Sequence, residues 1–131
     1  MKEILKLGLS ENTINSMIEL NVQLKNITNE EVIEKINLLR KINCSENQIL
    51  NIISSNSLYF NKSREGILKL FNYLSDLGFE LLNILLDSNP YILNLEIFEI
   101  DRYIMERVKK GENKEEIIDN LFSNPYLFNE M

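Results

Sequence analysis

SNPYIL at residues 88–93 returns as SNPYLF at residues 123–128, thirty-five positions later. A phrase used twice in 131 residues is either a site built twice or a joint that the fold needs twice. Proline cannot continue an α-helix, and it drives the residue before it out of helical dihedrals. Asn89-Pro90 and Asn124-Pro125 therefore end a helix. The Tyr-Ile-Leu or Tyr-Leu-Phe that follows is expected to make one tight 3₁₀ turn with its apolar side chains in the core. Ser57-Leu58-Tyr59-Phe60 does the same without proline. The phrase is a joint.

The joints recur on a fixed spacing. Gly8, Asn43, Gly78 and Gly111 anchor the contexts KLGLSEN, KINCSEN, DLGFELL and KKGENKE, and second helix-breaking points fall at Val22, Ser57, Pro90 and Pro125. From anchor to breaking point the distances are 14, 14, 12 and 14 residues; from breaking point to the next anchor they are 21, 21 and 21. Units of about 35 residues thus tile the chain as 8–42, 43–77 and 78–110, with a half unit at 111–131 and two residues missing from the third.

Inside each unit the apolar residues keep helical spacing. Ile14, Ile49, Leu82 and Ile117 share one register, and Ile18, Ile53, Leu86 and Leu121 another, giving a short first helix. Val32, Ile36, Leu39 and Ile42, then Ile67, Phe71, Leu74 and Leu77, then Ile100 and Ile104, mark a longer second helix. Thr28-x-x-Glu31, Ser45-x-x-Gln48 and Asn113-x-x-Glu116 read as capping boxes. Gly8, Gly78 and Gly111, with Asn43 in the same place, suit the left-handed position that closes a helix. The spacing predicts an all-α protein of about seven helices, near 10–20, 28–42, 45–55, 64–77, 79–88, 96–110 and 114–122.

Composition narrows the chemistry. A content of 44% hydrophobic and 26% charged residues is that of a globular chain rather than a disordered one. No apolar run reaches the roughly 18 residues of a membrane span. The start, MKEILKLGLSENT, lacks a secretory h-region and an organelle transit bias, and Cys44 has no second cysteine to pair with, so a reducing cytoplasm is expected. With no His, every His-based triad, proton shuttle and zinc site is ruled out. The four glycines are too scattered for a phosphate loop, and Cys44 has no His to activate it. No catalytic, cofactor or metal residues are therefore expected.

Tetratricopeptide repeats have a similar period but need small residues where helices touch, and this chain contains no Ala; the ankyrin TPLH turn is also missing. The units resemble the mitochondrial transcription termination factor (mTERF) family, whose repeat runs L-x-x-(L/I)-G-(F/L/C)-S, a short helix, N/x-P-x-(I/L)-(L/F), then a longer helix. Leu39, Ile42, Asn43, Cys44 and Ser45 through Phe60 carry the likeness, as do Leu74, Leu77, Gly78 and Phe79 through Pro90, Ile92 and Leu93. It covers essentially the whole chain. The resemblance implies an α-solenoid, right-handed in type, of helix–3₁₀ turn–helix repeats, and nucleic-acid binding in organelles through a basic concave surface. This chain departs from that pattern in its 14 basic against 20 acidic residues, its shortness and its lack of a presequence.

Phosphate binding needs several cations placed together. The best candidate patch is Arg102, Arg107, Lys109, Lys110 and Lys114, with Arg107 and Lys110 standing where earlier units have Leu39/Leu74 and Ile42/Leu77. Cations also stabilise a helix C-terminus, and a terminal unit must face water, so a structural use of the same residues is open. Glu96, Glu99, Asp101 and Glu106 on the same segment would repel phosphate. The acidic residues serve as solvated helix faces or as a negative face for a basic partner. The expected function is a non-catalytic interaction module holding a protein or peptide on its curved surface. Nucleic-acid binding is the alternative, disfavoured by the net charge of −6.

Overall fold

The computed structural model describes residues 6–131. Among the described residues are seven α-helices of seven residues or more and four 3₁₀ turns, and no strand occurs among them. The helices are α1 (Glu11–Leu20), α2 (Asn29–Lys41), α3 (Glu46–Ser55), α4 (Arg64–Leu77), α5 (Leu82–Ser88), α6 (Ile97–Lys109) and α7 (Lys114–Ser123). The 3₁₀ turns are Val22–Asn26, Ser57–Asn61, Pro90–Asn94 and Pro125–Glu130, one after each short helix. Each helix end lies within one residue of its expected place except the start of α5, expected at 79 and found at Leu82.

The exception has a local cause. Five helices begin behind a side chain that accepts a first-turn N–H, from Ser10, Thr28, Ser45, Ser63 and Asn113. At α5 the preceding residue is Leu81, which offers no such acceptor. Phe79, freed from the helix, is buried and sets its ring 6.0 Å from that of Phe128. Of the three expected capping boxes, Ser45–Gln48 is reciprocal, whereas at Thr28 and Asn113 the N-cap side chain alone takes part among the described residues.

Helix ends follow the expectation closely. Gly8, Gly78 and Gly111 have positive φ, and so does Asn43 at φ 70°. At Gly78, φ is 115°, its N–H donates to Ser75 O at 3.0 Å, and Phe79 N–H donates to Leu74 O at 3.1 Å. A Cβ added at Gly78 would meet no atom within 4 Å, so its cost is purely conformational. Gly78→Ala should lower stability by about 1–2 kcal/mol, read as a shifted denaturant midpoint with an unchanged slope.

The core runs the length of the chain. Ile14, Ile49, Leu82 and Ile117 are buried, as are Ile53, Leu86 and Leu121, with Ile18 half-buried in the same row. The long helices contribute Val32, Ile36, Leu39, Ile67, Phe71, Leu74, Ile100 and Ile104. α1 lies beside α3, and α3 beside α5; α2 lies beside α4. The second and third turns lie on the short helix of the unit before. The joints bury Tyr59, Phe60, Ile92, Leu93 and Phe128, but Tyr91 and Tyr126 are 48% and 68% exposed, contrary to their expected place in the core. They occupy the second position of their turns, which points outward, whereas Tyr59 occupies the third. Tyr59 donates its hydroxyl to Lys35 O at 2.7 Å, and its burial pushes the phenol pKa up.

Asparagine adds a polar link between successive segments. Asn21 Nδ2 donates to Ser57 O and to Asn61 Oδ1, both at 2.9 Å. Asn56 Nδ2 donates to Pro90 O at 2.9 Å and Asn94 Oδ1 at 3.0 Å. Asn89 Nδ2 donates to Pro125 O at 2.9 Å and Asn129 Oδ1 at 3.0 Å. These are three copies of one rung, each reaching into the next unit from a buried residue. The four joint asparagines share one backbone conformation: Asn21 and Asn56, with no proline after them, have φ −143° and −141°, and Asn89 and Asn124 have −146° and −135°. Proline is thus compatible with the joint without being its cause. Asn124, in the last unit, is exposed, and Asn120 stands where Met17, Ile52 and Leu85 are buried in earlier units. A polar outer face of this kind suits the end of a helical stack.

Candidate functional site

The sequence-predicted basic residues do not form one surface. Arg102, Arg107 and Lys109 belong to α6, Lys110 is its C-cap, and Lys114 opens α7. At about 100° per residue, Arg102 and Lys109, seven apart, share a face, whereas Arg107 points away from it. Arg107 is committed locally: its guanidinium lies 4.5 Å above the Tyr103 ring and 3.2 Å from Glu112. Glu106 sits between Arg102 and Lys109 on their stripe, four residues after one and three before the other.

The three long helices supply an internal standard for what the fold demands. Their N-caps, Thr28, Ser63 and Glu96, align them residue for residue. One exposed stripe reads Glu30, Glu34, Asn37, Lys41 on α2 and Glu65, Lys69, Asn72, Asp76 on α4. On α6 the same stripe reads Phe98, Arg102, Met105, Lys109. Phe98 is 64% exposed and Met105 51%, so the core does not use them. Inside the first turn, α2 and α6 carry Glu31 and Glu99 where α4 carries Gly66. Just before the helix, Ile27 and Leu95 are replaced by Lys62.

These departures meet in one place. A groove of about 360 Å³ runs between the starts of α4 and α6. Its floor is Ile67, Leu70, Leu93 and Leu95, all buried, and its rim carries Lys62, Lys69, Glu96 and Phe98. Gly66 keeps the wall low, and its amide is bound by the capping Ser63 Oγ at 3.0 Å. Across the mouth Lys62 Nζ lies 3.8 Å from Glu96. Sequence reading alone passed over this site because its residues are thirty apart in the chain; the signal lay in aligning the long helices and noting where α4 and α6 break step.

Other features offer less chemistry. A wider recess of about 610 Å³ between residues 78–81 and 118–123 exists because α5 starts late, and its rim bears Glu80 and Asp119. Cys44 is buried, and burial with Asp87 nearby raises its thiol pKa to about 11, so it stays protonated and unreactive at neutral pH. The Tyr73 phenol rises to about 12 through burial and through Asp101, to which it donates at 3.2 Å. Among the described residues no group of His, Cys, Asp and Glu is placed to hold a metal ion, and no helix is long and apolar enough to cross a membrane. Compared with known family models, curated proteins and solved structures, the chain matches none.

Proposed function

We propose that this chain is a non-catalytic binding module: a short mTERF-like α-solenoid that works in the cytoplasm and holds a protein or peptide in the groove between α4 and α6. The observation that carries this reading is the coincidence at one groove of Gly66, Lys62 and the exposed Phe98, each a departure from the register that the other long helices keep. Residues that the repeat does not require, collected around an apolar floor, are what a partner site demands. Covering Phe98 would contribute about 1.5–3 kcal/mol, the size of a single interface anchor. Its test is a comparative capture from the native host with wild-type chain and Phe98→Glu. A protein retained by the first and lost from the second, with helical content equal in both, is the expected result. Equal capture by both would remove the groove from the function.

Nucleic-acid binding, which the family resemblance brings with it, is the second reading. The observation in its favour is the Phe98–Arg102–Met105–Lys109 stripe, where a ring and cations alternate. Net charge −6 and Glu106 within that stripe weigh against it.

A further inference from the structure

We infer that the α4–α6 groove selects acidic, amphipathic helical segments: an apolar face on Ile67, Leu70 and Phe98, carboxylates on Lys69 and Arg102. This rests on the groove being a peptide site and adds the chemistry of its occupant. Among the residues lining the groove Lys62 and Lys69 stand against Glu96 alone, and Arg102 lies one helical turn beyond Phe98 on α6. Lys62 and Glu96 satisfy one another at 3.8 Å. Lys69 and Arg102 make no ion pair among the described residues, although Glu65 and Glu106 stand four residues away on their own helices. At the corresponding place on α2 the residue is Glu34, so α4 and α6 carry a cation where α2 carries an anion.

Two cations without partners beside an exposed aromatic ring leave a definite deficit. A basic segment would face Lys69 and Arg102 unscreened at contact distance. A carboxylate would gain where a lysine would lose. Glu65 and Glu106, one turn from these cations, reduce the effect without pairing with them, and charges farther apart than about 8 Å are largely screened at physiological ionic strength.

The test uses two fluorescein-labelled helical peptides with the same leucine face, one bearing Glu and one Lys at its polar positions, and follows anisotropy at low and physiological salt. The Glu peptide should bind about tenfold or more tightly than the Lys peptide, weakening as salt rises, since complementary charge at a rim sets partner choice. Phe98→Ala should abolish the binding, and Lys69→Glu with Arg102→Glu should reverse the preference; all three positions are solvent-exposed, and circular dichroism checks that the fold is kept. Equal or tighter binding of the Lys peptide, still sensitive to Phe98→Ala, would overturn the acidic preference while leaving a peptide groove. Failure of both peptides would remove the groove reading as well. Displacement of a bound Glu peptide by a single-stranded oligonucleotide through the same residues would assign the site to nucleic acid and overturn the inference.

Discussion

Asn56→Asp should destabilise the protein by about 3–5 kcal/mol at neutral pH, because it buries a charge without a partner. The two side chains are nearly the same size. The difference is that an amide donates where a carboxylate only accepts. Asn56 is 6% exposed, and its Nδ2 faces two oxygens, Pro90 O at 2.9 Å and Asn94 Oδ1 at 3.0 Å. A carboxylate there faces the Pro90 carbonyl and finds a donor only if the Asn94 amide turns over, so its pKa in the folded state lies above its unfolded value. The penalty is therefore full above the raised folded pKa and fades as pH falls toward the unfolded value of about 4. It does not vanish, since a protonated carboxyl donates one hydrogen bond and the amide donates two, leaving about 1 kcal/mol. Urea denaturation of wild type and variant at neutral and acid pH measures the difference. A small, pH-independent cost would mean that the rungs do not couple the units.

Leu74→Ala should cost about 2–5 kcal/mol, the range for truncating a buried leucine into a cavity. Leu74 is 0% exposed in the centre of the core, where α4 meets its neighbours, and the surrounding Ile67, Leu70 and Phe71 are held by their own helix. Leu81→Ala is the control: half exposed, it should change stability by less than about 0.5 kcal/mol. Equal effects at the two positions, read from denaturant midpoints, would contradict the assigned core.

Helical spacing and end signals together account for why the fold was legible. The constant interval from breaking point to next anchor placed the described helices, and Asn43, Gly78 and Gly111 mark left-handed helix ends, while Gly8 also has positive φ. The start of α5 was illegible because its apolar spacing continues to Phe79, while what decides a helix start is a capping side chain, absent at Leu81. Tyr91 and Tyr126 were misplaced because an aromatic in a joint reads as core unless its exact position in the 3₁₀ turn is known. The rungs were legible in principle. Asn stands at 21, 56, 89 and 124, and again at 26, 61, 94 and 129, so both halves of the rung repeat in every unit. A polar residue kept at the same place in an apolar joint is a hydrogen-bonding position.

The candidate site was only partly legible. Arg102 and Lys109, read from the sequence as members of one basic patch, lie on the exposed stripe with Phe98 and Met105. Arg107 differs, because a ring and a carboxylate already occupy it. A charge cluster in sequence says little about a surface when a helix sends neighbouring residues to different sides. Lys62, Gly66 and Lys69 come to Phe98 only through the packing of α4 beside α6.

We propose that this chain binds protein partners rather than the nucleic acid that its mTERF resemblance implies. Fluorescence titration with duplex DNA and RNA across salt concentrations tests it most directly. No binding tighter than tens of micromolar at physiological salt is predicted, the weak end of non-specific affinity. Tight binding with a steep salt dependence, abolished by Arg102→Glu with Lys109→Glu, would contradict it and place the exposed stripe of α6 on a phosphate-binding surface.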